Sequence, residues 1–169
     1  MMRASLAVLA VATVTLAATA DERAGSPSPA RAAFEKLKGL NGAWEGTAPG
    51  NKVTATYRTV SNGSVVQESL FPDTDHEMIS MYHLEGDSLV ITHYCALGNQ
   101  PRMRLAATSS PDELRFDFDG GTNFKPETDT HIHSGRLKWL SPDSIEAEWA
   151  VYQGTKQVGA NKFQLARKK

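Results

Sequence analysis

Five side chains with nitrogen or sulfur donor atoms lie in two short stretches of the chain. THYCALGNQPRM (92–103) contains His93, Cys95 and Met103, and HIH (131–133) contains His131 and His133. Imidazole nitrogen binds both copper and zinc, and thiolate or thioether sulfur adds a preference for copper. These residue types therefore predict a copper or zinc site, provided that the fold brings the two stretches together. Each of them is also an ordinary occupant of a protein core, where a histidine needs only a hydrogen-bond partner.

Short runs of alternating apolar and polar residues follow one another from Ala43 to the C terminus. Ten such runs are separated by turn residues: AWEGTA, KVTATYRTV, SVVQESLF, HEMISMYHL, SLVITHYCA, RMRLAAT, ELRFDFD, HIHSGRLKWL, SIEAEWAVY and QVGANKFQLAR. This pattern is typical of an antiparallel meander, and closure into a barrel removes the exposed sheet edges. We predict an all-β, ten-stranded antiparallel up-and-down β-barrel, preceded by a short amphipathic helix in ARAAFEKLKGL (30–40).

Alternation along each strand predicts which side chains face the lumen of such a barrel. The five donors share the parity of apolar neighbours: His93 and Cys95 with Leu89 and Ile91, Met103 with Leu105, and His131 and His133 with Leu137 and Trp139. In a meander, the longer connections at PDTD, LGNQP and GGTNFKPETDT all fall at one end. We therefore expect the five donors to meet in the lumen near this open end, where binding sites of barrels usually lie.

A further set of residues near the same end could bind an organic ligand instead. Three of them are polar and could contact a ligand head group: Asn99, Gln100 and Arg102. Four are apolar or aromatic and could wall a pocket: Met78, Tyr82, Phe116 and Trp149.

The orientation of the strand that carries Met78 and Tyr82 depends on one turn. A two-residue loop at Gly86-Asp87 would pair Tyr82 with Ile91 and Ser80 with His93, which places Met78 in the lumen. A slip of one residue in that turn would invert the whole strand.

Three functions remain open at this stage. The barrel could bind a small ligand with a transition metal at its mouth, or it could bind an apolar organic ligand without a metal. It could also be an enzyme in which a metal-activated water or the Cys95 thiolate acts on a small substrate, with a histidine as general base. The sequence contains no nucleophile elbow, phosphate loop or dinucleotide fingerprint that would select a reaction.

The N-terminal residues predict export. MMRASLAVLAVATVTLAATA (1–20) has an early positive charge, a short apolar run and small residues before Ala20, as a cleavable signal peptide does. Residues 21–30 read as a flexible linker and 31–169 as one domain. We expect a periplasmic or extracellular protein that is not inserted in a membrane after cleavage.

The net charge and the number of cysteines limit the classes of binding partner and the bonds that the chain can form. The chain has 18 Lys and Arg against 19 Asp and Glu, a net charge of −1, and loss of Arg3 with the signal peptide makes it −2. The absence of a basic excess excludes nucleic acid as an expected partner and leaves a small molecule or a metal ion. One cysteine cannot form an internal disulfide.

Several motifs resemble those of known barrels. GAWEG (42–46), after a short helix and at the start of the first strand, resembles the Gly-x-Trp motif of lipocalin-like (calycin) barrels, in which the Trp closes the floor. HEMISMYHLEGDSLVITHYCALGNQPRM and SIEAEWAVYQGTKQVGANKFQLAR are similar to segments of small exported bacterial proteins of unknown function. The resemblance covers most of residues 34–167 and implies a lipocalin-like barrel. The chain also resembles, more distantly, nitrobindin-type haem barrels, but their haem-binding His does not map onto a position of this sequence, so the resemblance does not imply haem.

Overall fold

The computed structural model describes residues 27–48 and 51–169, so the predicted signal peptide and most of the predicted linker lie outside the described residues. One helix precedes ten strands: α1 (Pro29–Lys38), β1 (Gly42–Ala48), β2 (Asn51–Val60), β3 (Val65–Leu70), β4 (Met78–Glu85), β5 (Ser88–Tyr94), β6 (Gln100–Leu105), β7 (Glu113–Thr122), β8 (Thr130–Ser141), β9 (Ser144–Gln153) and β10 (Lys156–Arg167). Each strand pairs antiparallel with its neighbours along the chain, and β1 pairs with β10. The predicted ten-stranded barrel is confirmed.

Helix α1 covers one end of the barrel. It begins at Pro29, inside the segment that the sequence predicted as linker, because proline suits the first turn and the Ser28 hydroxyl accepts a hydrogen bond from a free backbone N–H. Its buried face includes Ala33, Phe34 and Leu37. The helix contacts β2, β4 and β5 and lies beside the β4–β5 turn. The opposite end, with the connections 71–77, 95–99 and 123–129, is the open one.

The first and last strands meet at a seam that needs a small residue. A Cβ atom on Gly46 would lie 1.8 Å from the backbone oxygen of Gln164, so only glycine allows β1 and β10 to pair here. Nearby, Trp44 is buried and donates its indole N–H to the backbone oxygen of Leu40 at 2.7 Å. The guanidinium of Arg167 lies 4.5 Å from the centre of its ring. Trp44 thus closes the covered end of the lumen.

The hairpin of β4 and β5 has the predicted register. Glu85 pairs with Ser88 across the two-residue turn, Tyr82 pairs with Ile91, and Ser80 pairs with His93. Because opposed residues lie on one face, Ser80 and His93 both point into the lumen, where both are buried.

Strand β8 departs from the predicted alternation. Its pairing with β9 shifts between Ile132 and Ser134, which is a β-bulge, so Ile132 pairs with Val151 and His131 pairs with Tyr152. Ile132 and Val151 line a cavity in the lumen. The extra residue changes the parity of the strand, so alternation counted from Leu137 does not fix the direction of His131 and His133, and their place in the lumen stays a prediction.

Candidate functional site

The lumen contains a cavity at its open end. Its volume is about 290 Å³, and its walls come from β3, β4, β5, β8, β9, β10 and the β5–β6 turn. The lining is mainly apolar, with few polar groups: Leu70, His76, Met78, His93, Cys95, Ala96, Leu97, Thr130, Ile132, Trp149, Val151, Asn161 and Phe163. An outer depression of about 740 Å³ shares His76, Met78, Asn161 and Phe163 with it. A cavity with these features is typical of a site for a small organic ligand.

His93 is the most unusual residue of this cavity. Only 4% of it is exposed, and its ring stacks on Trp149 with centroids 5.8 Å apart and an angle of 21° between planes. Nδ1 lies 3.0 Å from the Ser80 hydroxyl, whereas Nε2 is buried and has no hydrogen-bond partner among the described residues. Burial lowers the pKa of His93 to about 4, so the ring is neutral at pH 7.

A buried carboxylate lies behind His93, deeper in the lumen. Glu68 of β3 is 2% exposed and accepts hydrogen bonds from the hydroxyls of Tyr57, at 2.7 Å, and Tyr82, at 2.9 Å. Ser80 of β4 is directly opposite Glu68 in the pairing of β3 with β4, and both residues are buried. Burial raises the pKa of Glu68, and hydrogen bonds from hydroxyl groups oppose that rise. Ser80 thus lies between the carboxylate and the imidazole of His93.

Two sulfur atoms line the same cavity. Met78 lies at the start of β4, and Cys95 begins the turn after β5, where its backbone N–H donates to Asn99 at 3.0 Å. Burial raises the pKa of the Cys95 thiol, so the sulfur is protonated at neutral pH. A protonated thiol is a small, weakly polar part of the wall and a poor nucleophile.

His131 and His133 lie together, outside the lining of this cavity. His131 is fully buried, its Nδ1 lies 3.0 Å from the backbone oxygen of Asp129, and its Nε2 lies 3.0 Å from Nδ1 of His133. His133 stacks between Phe118 and Tyr152, at centroid distances of 4.6 and 4.1 Å. Three of the four ring nitrogens of the two histidines therefore have a hydrogen-bond partner within the protein. The two rings and their aromatic neighbours form a packed cluster.

The other predicted residues divide between core and surface. Met103, Tyr82 and Phe116 are fully buried and do not line the cavity. The side chain of Asn99 is buried and donates to the backbone oxygen of Thr130 at 2.8 Å, which fixes the β5–β6 turn against β8.

Gln100 and Arg102 are also engaged by protein groups. Gln100 accepts hydrogen bonds from Thr122 and Asn123 at 2.9 and 2.6 Å. Arg102 forms ion pairs with Asp119 and Glu85, at 3.0 and 2.5 Å. Of the seven residues predicted for an organic ligand, the cavity lining therefore includes Met78 and Trp149.

The predicted metal ligands are not assembled around one point. His93 and Cys95 line the cavity, Met103 is packed in the core, and His131 and His133 form their own cluster. Within residues 27–48 and 51–169, no group of three or more His, Cys, Asp or Glu side chains is placed to hold a metal ion. Binding of copper or zinc stays a prediction.

Sequence reasoning missed Glu68 and Ser80, which give the site its polar character. In VVQESL, Glu68 has the parity of Val66 and Leu70, and this charged residue at an inward position was the available signal. Its partners Tyr57 and Tyr82 come from two other strands, and only the closed barrel brings them together.

The fold and the cavity define a class: a closed antiparallel barrel with a small, mainly apolar chamber at its open end. The structure is similar to a protein of unknown function of the DUF3598 family from Nostoc punctiforme, with a TM-score of 0.53 and 12% sequence identity over 78% of this chain and 49% of that one. It is also similar to Rv2717c from M. tuberculosis, with a TM-score of 0.50 and 14% identity over 81% of this chain and 98% of that one. At such identities the likeness concerns the fold alone.

Comparisons of sequence add no family. No family model matches the chain. The mouse protein cyclin-dependent kinase inhibitor 1C is 33% identical over 110 residues, which are 65% of this chain and 24% of that protein. The chain thus spans about a quarter of the length of that protein.

Within the described residues, no helix is both long and apolar enough to span a membrane.

Proposed function

We propose that this protein is an exported binding protein that holds one small, mainly apolar ligand in the cavity at the open end of the barrel. The observation that supports this most is His93, which lines the cavity and whose buried Nε2 has no protein partner among the described residues. An unpaired buried polar atom costs roughly 1–3 kcal/mol, and a ligand that forms a hydrogen bond there recovers that cost.

The size and lining of the cavity indicate the class of ligand. A volume of about 290 Å³ lies near the lower limit of ligand pockets, which is about 300 Å³, and suits a molecule of one or two small rings. Trp149 and Phe163 offer aromatic surfaces, and Ile132 and Val151 offer aliphatic ones. The ligand would thus combine a flat apolar body with one polar group directed at His93.

Binding is better supported than catalysis. A cysteine nucleophile needs a thiolate, whereas burial raises the pKa of the Cys95 thiol and only backbone hydrogen bonds at Ala96 and Leu97 oppose that rise. A metal ion is the alternative ligand, because His93, Cys95 and Met78 present one nitrogen and two sulfur atoms to the cavity.

The binding proposal is tested by titrating the protein with p-cresol, by calorimetry and by two-dimensional NMR. We expect saturable binding and resonance shifts at His93, Trp149 and Ile132. Ile132→Phe adds a ring to the cavity wall and is expected to weaken binding at least about tenfold. Leu140→Phe, on the exposed part of the same strand, is the matched control and should bind as the unchanged protein does.

Three results would decide otherwise. Absence of saturable binding by p-cresol, indole and toluene alike would contradict the proposal, and so would equal binding by Ile132→Phe. A stoichiometric shift of the His93 and Cys95 resonances by Cu(I) or Zn²⁺, without any response to the organic probes, would replace the organic ligand with a metal ion.

Export is part of the proposal and has its own test. Expression of the full chain in a bacterial host should yield a processed form in the periplasm that begins at Asp21. Retention of the uncleaved chain in the cytoplasm would contradict it.

A further inference from the structure

The polar groups behind the cavity form a chain with a direction. Glu68 accepts hydrogen bonds from Tyr57 and Tyr82, and Ser80 is directly opposite Glu68 on the neighbouring strand. Nδ1 of His93 lies 3.0 Å from the Ser80 hydroxyl. A serine hydroxyl carries one proton, which it can give to Glu68 or to His93 but not to both.

The choice between these two acceptors sets the tautomer of His93. A hydrogen bond to a carboxylate is about twice as strong as one between neutral groups, so the Ser80 proton is directed to Glu68. The Ser80 oxygen then accepts a hydrogen bond from Nδ1–H of His93. A neutral imidazole has one N–H, and Nε2 is therefore left with a lone pair.

We propose that Glu68, acting through Ser80, holds His93 in the Nδ1–H tautomer and thereby makes the cavity selective for ligands that donate a hydrogen bond, such as phenols and N–H heteroaromatic rings. This inference rests on the proposed function and names the ligand class of the same cavity. Glu68 is a positioning residue, since Ser80 and His93 lie between it and the ligand. A ligand that can only accept a hydrogen bond leaves the Nε2 lone pair unpaired.

The size of the selectivity follows from the cost of an unmade hydrogen bond. Replacing the hydroxyl of p-cresol by a methyl ether keeps the ring and removes the donor. Loss of one buried hydrogen bond changes affinity by about tenfold, so p-cresol should bind about tenfold more tightly than p-methylanisole.

The experiment measures the tautomer and the selectivity together. Long-range ¹H–¹⁵N NMR at pH 7 should show a protonated Nδ1 and an unprotonated Nε2 for His93 in the unchanged protein. In Glu68→Gln the amide can donate to Ser80, which frees the Ser80 proton for Nδ1 of His93. The tautomer should then reverse, and the preference for p-cresol over p-methylanisole should fall to about onefold or invert.

A matched control separates this effect from a general loss of negative charge. The carboxylate of Glu77 accepts a hydrogen bond from Ser69 near the same end of the barrel and does not line the cavity. Glu77→Gln should keep both the tautomer of His93 and the selectivity of the unchanged protein.

The outcomes distinguish this inference from the proposed function. Equal binding of the two probes, or a protonated Nε2 in the unchanged protein, overturns the inference while ligand binding stands. Failure of both probes to bind, together with failure of indole and toluene, removes the proposed function, and the NMR signal still reports whether Glu68 sets the tautomer. If Glu68→Gln does not fold, Ser80→Ala takes its place, and an unchanged Nδ1–H tautomer in that variant overturns the inference.

Discussion

Acidification should destabilise the barrel through His93. In the unfolded chain this residue titrates near its ordinary pKa of 6.5, whereas burial lowers the folded pKa to about 4. Between these two pH values the unfolded chain binds more protons at His93 than the folded protein does. The contribution of neutral His93 to the free energy of unfolding is therefore fully present above pH 6.5 and is lost as the pH falls towards 4. The full difference corresponds to about 3 kcal/mol, of which about 2 kcal/mol is lost between pH 7 and pH 5.

Other groups with shifted pKa values also make stability depend on pH and have to be separated from His93. Burial raises the pKa of Glu68, so its contribution to stability increases as the pH falls and opposes that of His93. Burial also lowers the pKa of His133. The variant His93→Gln keeps these groups and removes only the titration of His93.

The assay is urea unfolding of both proteins at pH 7 and pH 5. We expect the unchanged protein to lose about 2 kcal/mol more than His93→Gln over this interval, whatever the difference between the two proteins at pH 7. An equal loss in the two proteins would refute the reasoning, because it would mean that His93 is not buried as a neutral ring.

The remaining predictions concern strand β8 and its neighbours. Gly135→Ala places a Cβ atom 2.5 Å from the ring of Trp149, so it should lower the free energy of unfolding by about 2 kcal/mol and weaken p-cresol binding. Gly159→Ala is the control, because the space around its Cβ position is open, and it should leave the affinity for p-cresol unchanged. Loss of affinity in Gly159→Ala alone would contradict this. His131→Ala removes hydrogen bonds in the separate cluster with His133, so thermal unfolding should show a loss of about 2 kcal/mol while calorimetry shows unchanged affinity for p-cresol. A tenfold loss of affinity there would place His131 at the ligand after all.

The architecture was accessible from the sequence because each strand repeats a local signal. Alternation and turn residues marked ten strands, and the Gly86-Asp87 turn correctly paired Ser80 with His93. The helix began earlier than expected, at Pro29, because the cap at Ser28 resembles the polar linker that precedes it.

The site was accessible only in part. Parity assigns His93 to the lumen, where its side chain lines the cavity. It cannot be carried along β8 to His131 and His133, because a bulge adds one residue to that strand without a clear mark in the sequence. The role of Glu68 depends on hydroxyls from β2 and β4, and such contacts between strands cannot be obtained from the alternation of one strand.

The most direct test of ligand binding follows the ¹⁵N resonance of Nε2 in His93 while p-cresol is added at pH 7. We expect a saturable shift with one binding site in the unchanged protein and in Leu140→Phe, and a titration at least about tenfold weaker in Ile132→Phe. A resonance that does not move while calorimetry reports binding would place the ligand elsewhere on the protein, and a resonance that moves equally in Ile132→Phe would contradict the cavity as its site.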